Sequence, residues 1–167
     1  MVACFEAVIR ERMGAAIYAT GDAALEAVVA ALLRERGATL AVAETVTQGD
    51  IIRRLSPYPD VLLGGVVAAG GEQLARPLRS QADPIAGQPG AVALAEGVRQ
   101  SWRASYGLAV LADEPGGPWV AIAGDKGIDT RQLRFTGGDR RARNWTTVLA
   151  IEFIRRLLLD LAEGWAS

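Results

Sequence analysis

The sequence predicts an α/β fold of three layers (α/β/α), with helices on both faces of a mixed, mostly parallel sheet. Three observations carry this. Amphipathic helical stretches alternate with short, uncharged segments rich in Val, Leu and Ala over the first two-thirds of the chain. Two further strand-like segments, residues 119–123 and 130–135, flank the polar turn Gly124-Asp125-Lys126-Gly127, so an antiparallel pair is expected to follow. That connection departs from the ideal two-residue type. With 167 residues, 50% of them hydrophobic, the chain can build one core, and no linker or internal repeat divides it. A single domain over residues 1–167 is expected.

Taken in order, Phe5, Val8, Ile9, Met13 and Ile17 are spaced for one helical face, giving an extra N-terminal helix within residues 1–20. Cys4 reads as a small core residue of that face. Asp22 is placed to N-cap a second helix over residues 23–36, whose stripe is Leu25, Val28, Val29, Leu32 and Leu33, with Gly37 as its C-terminal cap. Residues 39–44 read as a buried strand, followed by a turn and a short helix ending near Leu55 at Ser56-Pro57-Tyr58-Pro59. Residues 61–69 carry no charge and read as a central strand. Gly70-Gly71 closes it, a short helix covers 72–79, and residues 80–90, with Pro84 and Pro89, read as a loop. A helix over 91–104, a strand over 107–112, the antiparallel pair and a last helix over 139–163 complete the chain. Trp102, Trp119, Trp145 and Trp165 read as packing anchors, Trp165 alternatively as an oligomer contact.

Composition removes much of the usual catalytic vocabulary. There is no His, one Cys and one Lys (Lys126), so 17 of the 18 basic residues are Arg. No Ser–His–Asp triad, His-ligated metal, zinc cluster or intrachain disulfide can form, and neither metal nor cofactor is expected. Against 19 acidic residues the net charge is −1, which gives no electrostatic case for nucleic acid or an anionic membrane surface. No uncharged run approaches the roughly 18 residues of a membrane span, and Glu6, Arg10, Glu11 and Arg12 interrupt any signal-peptide core. A cytoplasmic domain is expected.

Four segments could carry chemistry. Glu44-Thr45-Val46-Thr47-Gln48-Gly49 follows a strand and opens a helix, where backbone N–H groups, two hydroxyls and a glycine would receive a phosphate or carboxylate. The same residues also read as a plain helix cap, with Asp50 three positions after Thr47. Gly70, in Ala69-Gly70-Gly71-Glu72, would let a ligand approach the backbone, although a turn explains it as well. Asp113 and Glu114 could bind a metal or act as acid and base, or stand as solvated loop charges. Arg140, Arg141 and Arg143 could clamp a phosphate near a helix N-terminus, where positive charge is otherwise unfavourable.

Residues 33–45 closely resemble the opening of the CinA C-terminal domain family: bacterial competence/damage-inducible CinA and its stand-alone relatives, the nicotinamide mononucleotide deamidases. The family motif A-E-S-(C/T)-T-G-G stands here as Ala43-Glu44-Thr45-Val46-Thr47-Gln48-Gly49. Leu63-Gly64-Gly65-Val66-Val67-Ala68 is similar to the G-G-V-V-x-Y strand, Ala91-Val92-Ala93-Leu94-Ala95-Glu96-Gly97 to the helix after the G-A-V-S loop, and Trp119-Val120-Ala121-Ile122-Ala123 to the V-W-I-A strand. Phe135-Thr136-Gly137-Gly138-Asp139-Arg140 resembles the F-x-G-D-R turn with one extra Gly, so Arg140 and Arg143 both qualify for the family's Arg. The resemblance spans residues 23–160. It implies amide hydrolysis by the motif Ser with a Tyr and a Lys from a Y-S-N-x-x-K segment; those positions hold Thr45, Ala69 and Leu74. Ala and Leu cannot transfer a proton, and the methyl of Thr45 restricts its hydroxyl. The T-G-I-A-G-P loop has become Leu111-Ala112-Asp113-Glu114-Pro115-Gly116, and the K-P-V-G segment is missing.

Three readings follow. The leading one keeps the fold, loses efficient amidohydrolase activity, and retains a nucleotide or small anion at Glu44, Thr47, Gly49, Gly70, Arg140 and Arg143. The second keeps a nicotinamide-nucleotide amidohydrolase with Thr45 as nucleophile and Glu44, Glu72 or Asp113 as base. The third is a self-associating module built on the N-terminal helix and Trp165; a homo-oligomer is expected.

Overall fold

The computed structural model describes residues 24–80, 85–112, 116–133 and 140–160. In chain order these form α1 (Leu25–Glu35), β1 (Leu40–Glu44), α2 (Asp50–Leu55), β2 (Leu62–Val67), α3 (Gly71–Leu78), α4 (Gly87–Trp102), β3 (Tyr106–Leu111), β4 (Trp119–Gly124), β5 (Gly127–Gln132) and α5 (Arg140–Leu158). The expected N-terminal helix, Cys4, Asp22, Asp113, Glu114 and Trp165 lie outside the described residues.

The strands form one sheet in the order β2-β1-β3-β4-β5. β1 pairs in parallel with β2 and β3, while β4 runs antiparallel to β3 and β5. Four strands therefore share one direction and β4 is reversed, the mixed and mostly parallel sheet expected from the sequence.

Side-chain size alternates along the inner strands, and this alternation sorts the layers. Leu40, Val42, Leu108, Val110, Val120 and Ile122 face one side, where Val29 and Leu33 of α1, Ile51 and Leu55 of α2, and Ile151 and Ile154 of α5 fill the space. Ala41, Ala43, Ala109, Ala121 and Ala123 face the other, against Leu74 of α3 and Leu94, Ala95 and Val98 of α4. Small residues on that side let α4 lie directly on the sheet. At Gly107 a Cβ would stand 2.0 Å from the Ala95 carbonyl oxygen, so no side chain fits there.

Several local expectations are corrected. Residues 61–69 supply not a central strand but the edge strand β2, with Leu63 and Val67 exposed. The segment lacks charge although one edge is open, and its two glycines are packed closely. A Cβ at Gly64 would meet the indole of Trp102 at 2.2 Å, and one at Gly65 would meet Ile52 at 2.7 Å. Ala24 rather than Asp22 is the N-cap of α1, whereas Gly37 closes that helix as expected. There the Ala38 amide donates to the Leu33 carbonyl and the Gly37 amide to the Arg34 carbonyl. α4 starts four residues before the expected position, because Pro89 falls in its first turn, where an amide has no intrahelical acceptor. β5 likewise begins early: Gly124 pairs with Gly127, so Asp125-Lys126 is a two-residue hairpin loop after all. Trp102 and Trp119 pack against the core, but Trp145 is half exposed and anchors nothing there.

Candidate functional site

β1 and β3 run parallel and side by side, so their C-terminal ends place Thr45 next to Val110 and Ala112. The loop between β1 and α2 begins with Glu44, which is fully buried. Its Oε2 accepts hydrogen bonds from the amides of Gly49 (3.1 Å) and Ile51 (3.2 Å), and its Oε1 accepts one from Ile52 (2.8 Å). Two consecutive left-handed residues, Gln48 (φ 53°) and Gly49 (φ 87°), turn the chain so that these amides converge on the carboxylate. The start of α2 was expected to offer its amides and positive dipole end to a ligand. That expectation is corrected: the protein's own carboxylate occupies them, which satisfies both the hydrogen bonds and the dipole.

Thr45 is buried, and its hydroxyl is used twice. Oγ1 donates to the Val110 carbonyl oxygen (3.1 Å) and accepts from the Ala112 amide (2.9 Å), stitching β1 to the end of β3. Neither Thr45 nor Thr47 caps α2. Thr47 is only 2% exposed, and its Oγ1 has no hydrogen-bond partner among the described residues. A buried hydroxyl without a partner is uncommon, because desolvating it costs free energy that only a hydrogen bond restores.

Thr47 and Gly49 border a cleft of about 320 Å³ between the loop, α2 and the start of α5. Arg140, Arg143 and Asn144 close it from α5, and Gln48, Asp50, Arg53 and Arg54 from the other side. The structure therefore brings together Thr47, Gly49, Arg140 and Arg143 from distant parts of the sequence. Gly70 does not border this cleft; it is the N-cap of α3. Glu44 lies beneath the cleft as a structural anion and does not border it.

The cleft is cationic. Asp50 accepts from Arg53 Nε (3.0 Å) and Arg54 Nε (3.1 Å), and Arg54 also reaches Glu26 of α1 (3.1 Å) and Asn144 of α5. One guanidinium thus ties three helices together at the cleft wall. Desolvation is the largest single influence on the Asp50 carboxyl and pushes it up. The Arg53 hydrogen bond, the Arg54 charge, a hydrogen bond from Thr147 and the Arg53 charge together outweigh it and hold the carboxyl below its ordinary range. Four arginines against one carboxylate on the lining leave a net positive surface suited to an anion.

The positions that the family resemblance assigns to proton transfer lie elsewhere in character. Ala69 is exposed, and Leu74 is fully buried in the core beneath α4. The Glu72 carboxylate accepts a hydrogen bond from the Ile85 amide (3.1 Å). Among the described residues no three His, Cys, Asp or Glu side chains cluster as a metal site, and no helix is long and apolar enough to cross a membrane.

Gln48 falls inside the first candidate segment and Asp50 reads there as a cap, whereas the sequence reading does not anticipate Arg53, Arg54 or Asn144 as cleft residues. A signal exists for Asp50, Arg53 and Arg54: Asp50 stands three and four positions before the two arginines, the spacing of ion pairs on one helix.

Comparison with known proteins agrees with the fold. The profile of the CinA C-terminal domain matches residues 22–158. A CinA-like protein of Frankia casuarinae is 35% identical over 96% of this chain, and one of Prochlorococcus marinus is 35% identical over 93%. The chain spans 41% of the length of each of these relatives. Among solved structures, a CinA superfamily protein of Klebsiella pneumoniae aligns with a TM-score of 0.75 at 21% identity, covering 81% of this chain and 96% of that one.

Proposed function

Because the chain belongs to the CinA C-terminal domain family, we propose that it retains that family's fold as a binding domain for a small, phosphate-bearing anion such as a nucleotide. In this reading efficient hydrolysis of a nicotinamide-type amide is lost. The observation that carries it is the state of Thr45, at the position of the family's nucleophile, whose hydroxyl proton is donated to the Val110 carbonyl and whose oxygen accepts from the Ala112 amide. A nucleophilic hydroxyl needs a base within hydrogen-bond reach. Both Glu44 oxygens are bonded to α2 amides, the Glu72 carboxylate receives the Ile85 amide, and Asp113 lies outside the described residues. Ala69 and Leu74 supply no proton.

Support for the binding half comes from the cleft itself. An anion seated between Arg140 and Arg143 would offer acceptor oxygens to both guanidiniums. It would also relieve the clustering of Arg140, Arg141 and Arg143 in the first described turn of α5, a place where cations oppose the helix dipole. Thermal denaturation with a nucleoside monophosphate at about 100 times its Kd tests this. Binding at that level adds about 2.7 kcal/mol, a shift of about 5–10 °C for a chain of this size. The shift should vanish in Arg140→Ala/Arg143→Ala; an equal shift in that double variant contradicts the proposed site.

A further inference from the structure

The sheet has two edges, and they differ. β5 carries Asp129 and Arg131, and its Thr130 accepts a hydrogen bond from Gln88 of α4 (2.8 Å). Charged side chains on an edge strand discourage pairing with another chain. β2, Leu62-Leu63-Gly64-Gly65-Val66-Val67, has neither charge nor Pro, and its Leu63 and Val67 are 42% and 47% exposed. One edge is guarded and the other is not.

Which groups of β2 face outward follows from its pairing with β1. Leu40 pairs with Leu62 but Ala41 with Gly64, so a bulge at Leu63 interrupts the register there. Beyond the bulge, Glu44 pairs with Val67, and the Ala68 amide donates to the Glu44 carbonyl oxygen (3.0 Å). Ala68 and Val66 therefore turn their main-chain groups toward β1, and Gly65 and Val67 turn theirs outward. The side-chain positions of these outward residues share the face covered by α2. A Cβ on Gly65 would meet Ile52 at 2.7 Å, and Val67 Cγ2 stands 3.4 Å from where Gly49 would carry one.

The geometry points to a second copy of this chain as the partner of β2, paired antiparallel about a two-fold axis at Val66. Gly65 of each copy then exchanges its outward amide and carbonyl with those of Val67 of the other. Each Val67 side chain falls opposite a glycine, where no cross-strand side chain competes for the space. The bulged Leu63 stays outside this register. Self-pairing suits the edge because an uncharged strand meets an identical uncharged strand. Pairing β2 with β5 of another copy would instead desolvate Asp129, and a head-to-tail contact of that kind need not close. The inference goes beyond the anion-binding reading of the cleft and does not depend on it.

Sedimentation velocity of the full chain at concentrations up to about 100 μM tests it. The parent should sediment as a dimer. Val67→Lys and Val67→Glu should each be monomeric with the far-UV spectrum of the parent, since like charges would face each other diagonally across the axis. An equimolar mixture of these two variants should recover the dimer, because Lys on one copy then meets Glu on the other. Ile128→Lys, which changes an exposed apolar residue of β5, should leave the dimer intact. A monomeric parent, a dimer that survives either Val67 substitution, or a mixture that stays monomeric overturns pairing through β2, and so does a dimer lost in Ile128→Lys.

Discussion

Thr45 and Glu44, adjacent in one motif, both hydrogen-bond to backbone groups of the fold. A hydroxyl that donates to one strand and accepts from its continuation is a structural group. Truncating it leaves the buried end of β3 with a missing donor and a missing acceptor. Thr45→Ala is therefore expected to cost about 2 kcal/mol of stability, the range for buried polar groups left unpaired, read as a lowered denaturant midpoint at unchanged slope. Stability unchanged within error would mean that the two bonds contribute nothing and that the hydroxyl is available for other use. The sequence made Glu44 and Thr45 visible as a pair at the mouth of an α/β crevice, but not the direction of their side chains. That direction depends on two left-handed residues, and only Gly49 announced one of them; Gln48 carries no such signal in its residue type.

At the scale of elements, α2 has six residues, fewer than a helix needs to persist by its own propensity. It is held at its start by Glu44 and along its exposed side by Asp50, Arg53 and Arg54. The Asp50 carboxyl has a folded pKa below its unfolded value, so it contributes stability that is present above the unfolded pKa of about 3.9. That contribution is lost as pH falls through the depressed folded value. The stability difference between the parent and Asp50→Asn should thus be largest above pH of about 5 and shrink as the pH falls below about 3 in urea titrations; a difference independent of pH would contradict this role. Element type was legible wherever apolar spacing and turn chemistry agreed, as in α1 with Gly37 and in β1. It failed where tertiary cover overrode a local signal: β2 reads as central because Trp102 and Ile52 shield it, and the start of α4 hides behind Pro89. The alternation of large and small side chains in β1, β3 and β4, which puts the small residues on the side where α4 packs, is itself legible in the sequence.

Across the whole molecule, the cleft depends on segments about ninety residues apart. Arg54 of α2 meets Asn144 of α5 while also holding Glu26 of α1, so the same contact that assembles three helices places Arg140 and Arg143 opposite Thr47. The sequence offered Arg140 and Arg143 only as a run of charge near a helix start, and offered Thr47 only as a motif hydroxyl. Their convergence is a property of the sheet order and of α5 packing on α1 and α2. The opening scarcity of side-chain bases, no His and a single Lys, acquires its meaning here as well. Lys126 lies in the β4–β5 hairpin loop, at the end of β4 away from Trp119, the residue that pairs with Leu111 at the cleft end of β3.

The central claim is that the fold and an anion cleft persist without the amide chemistry, and ammonia release from nicotinamide mononucleotide tests it most directly. The purified full chain is expected to release ammonia no faster than a substrate blank, with Thr45→Ala indistinguishable from it. Steady, multiple-turnover release that Thr45→Ala abolishes would show Thr45 acting as a nucleophile and would contradict the account.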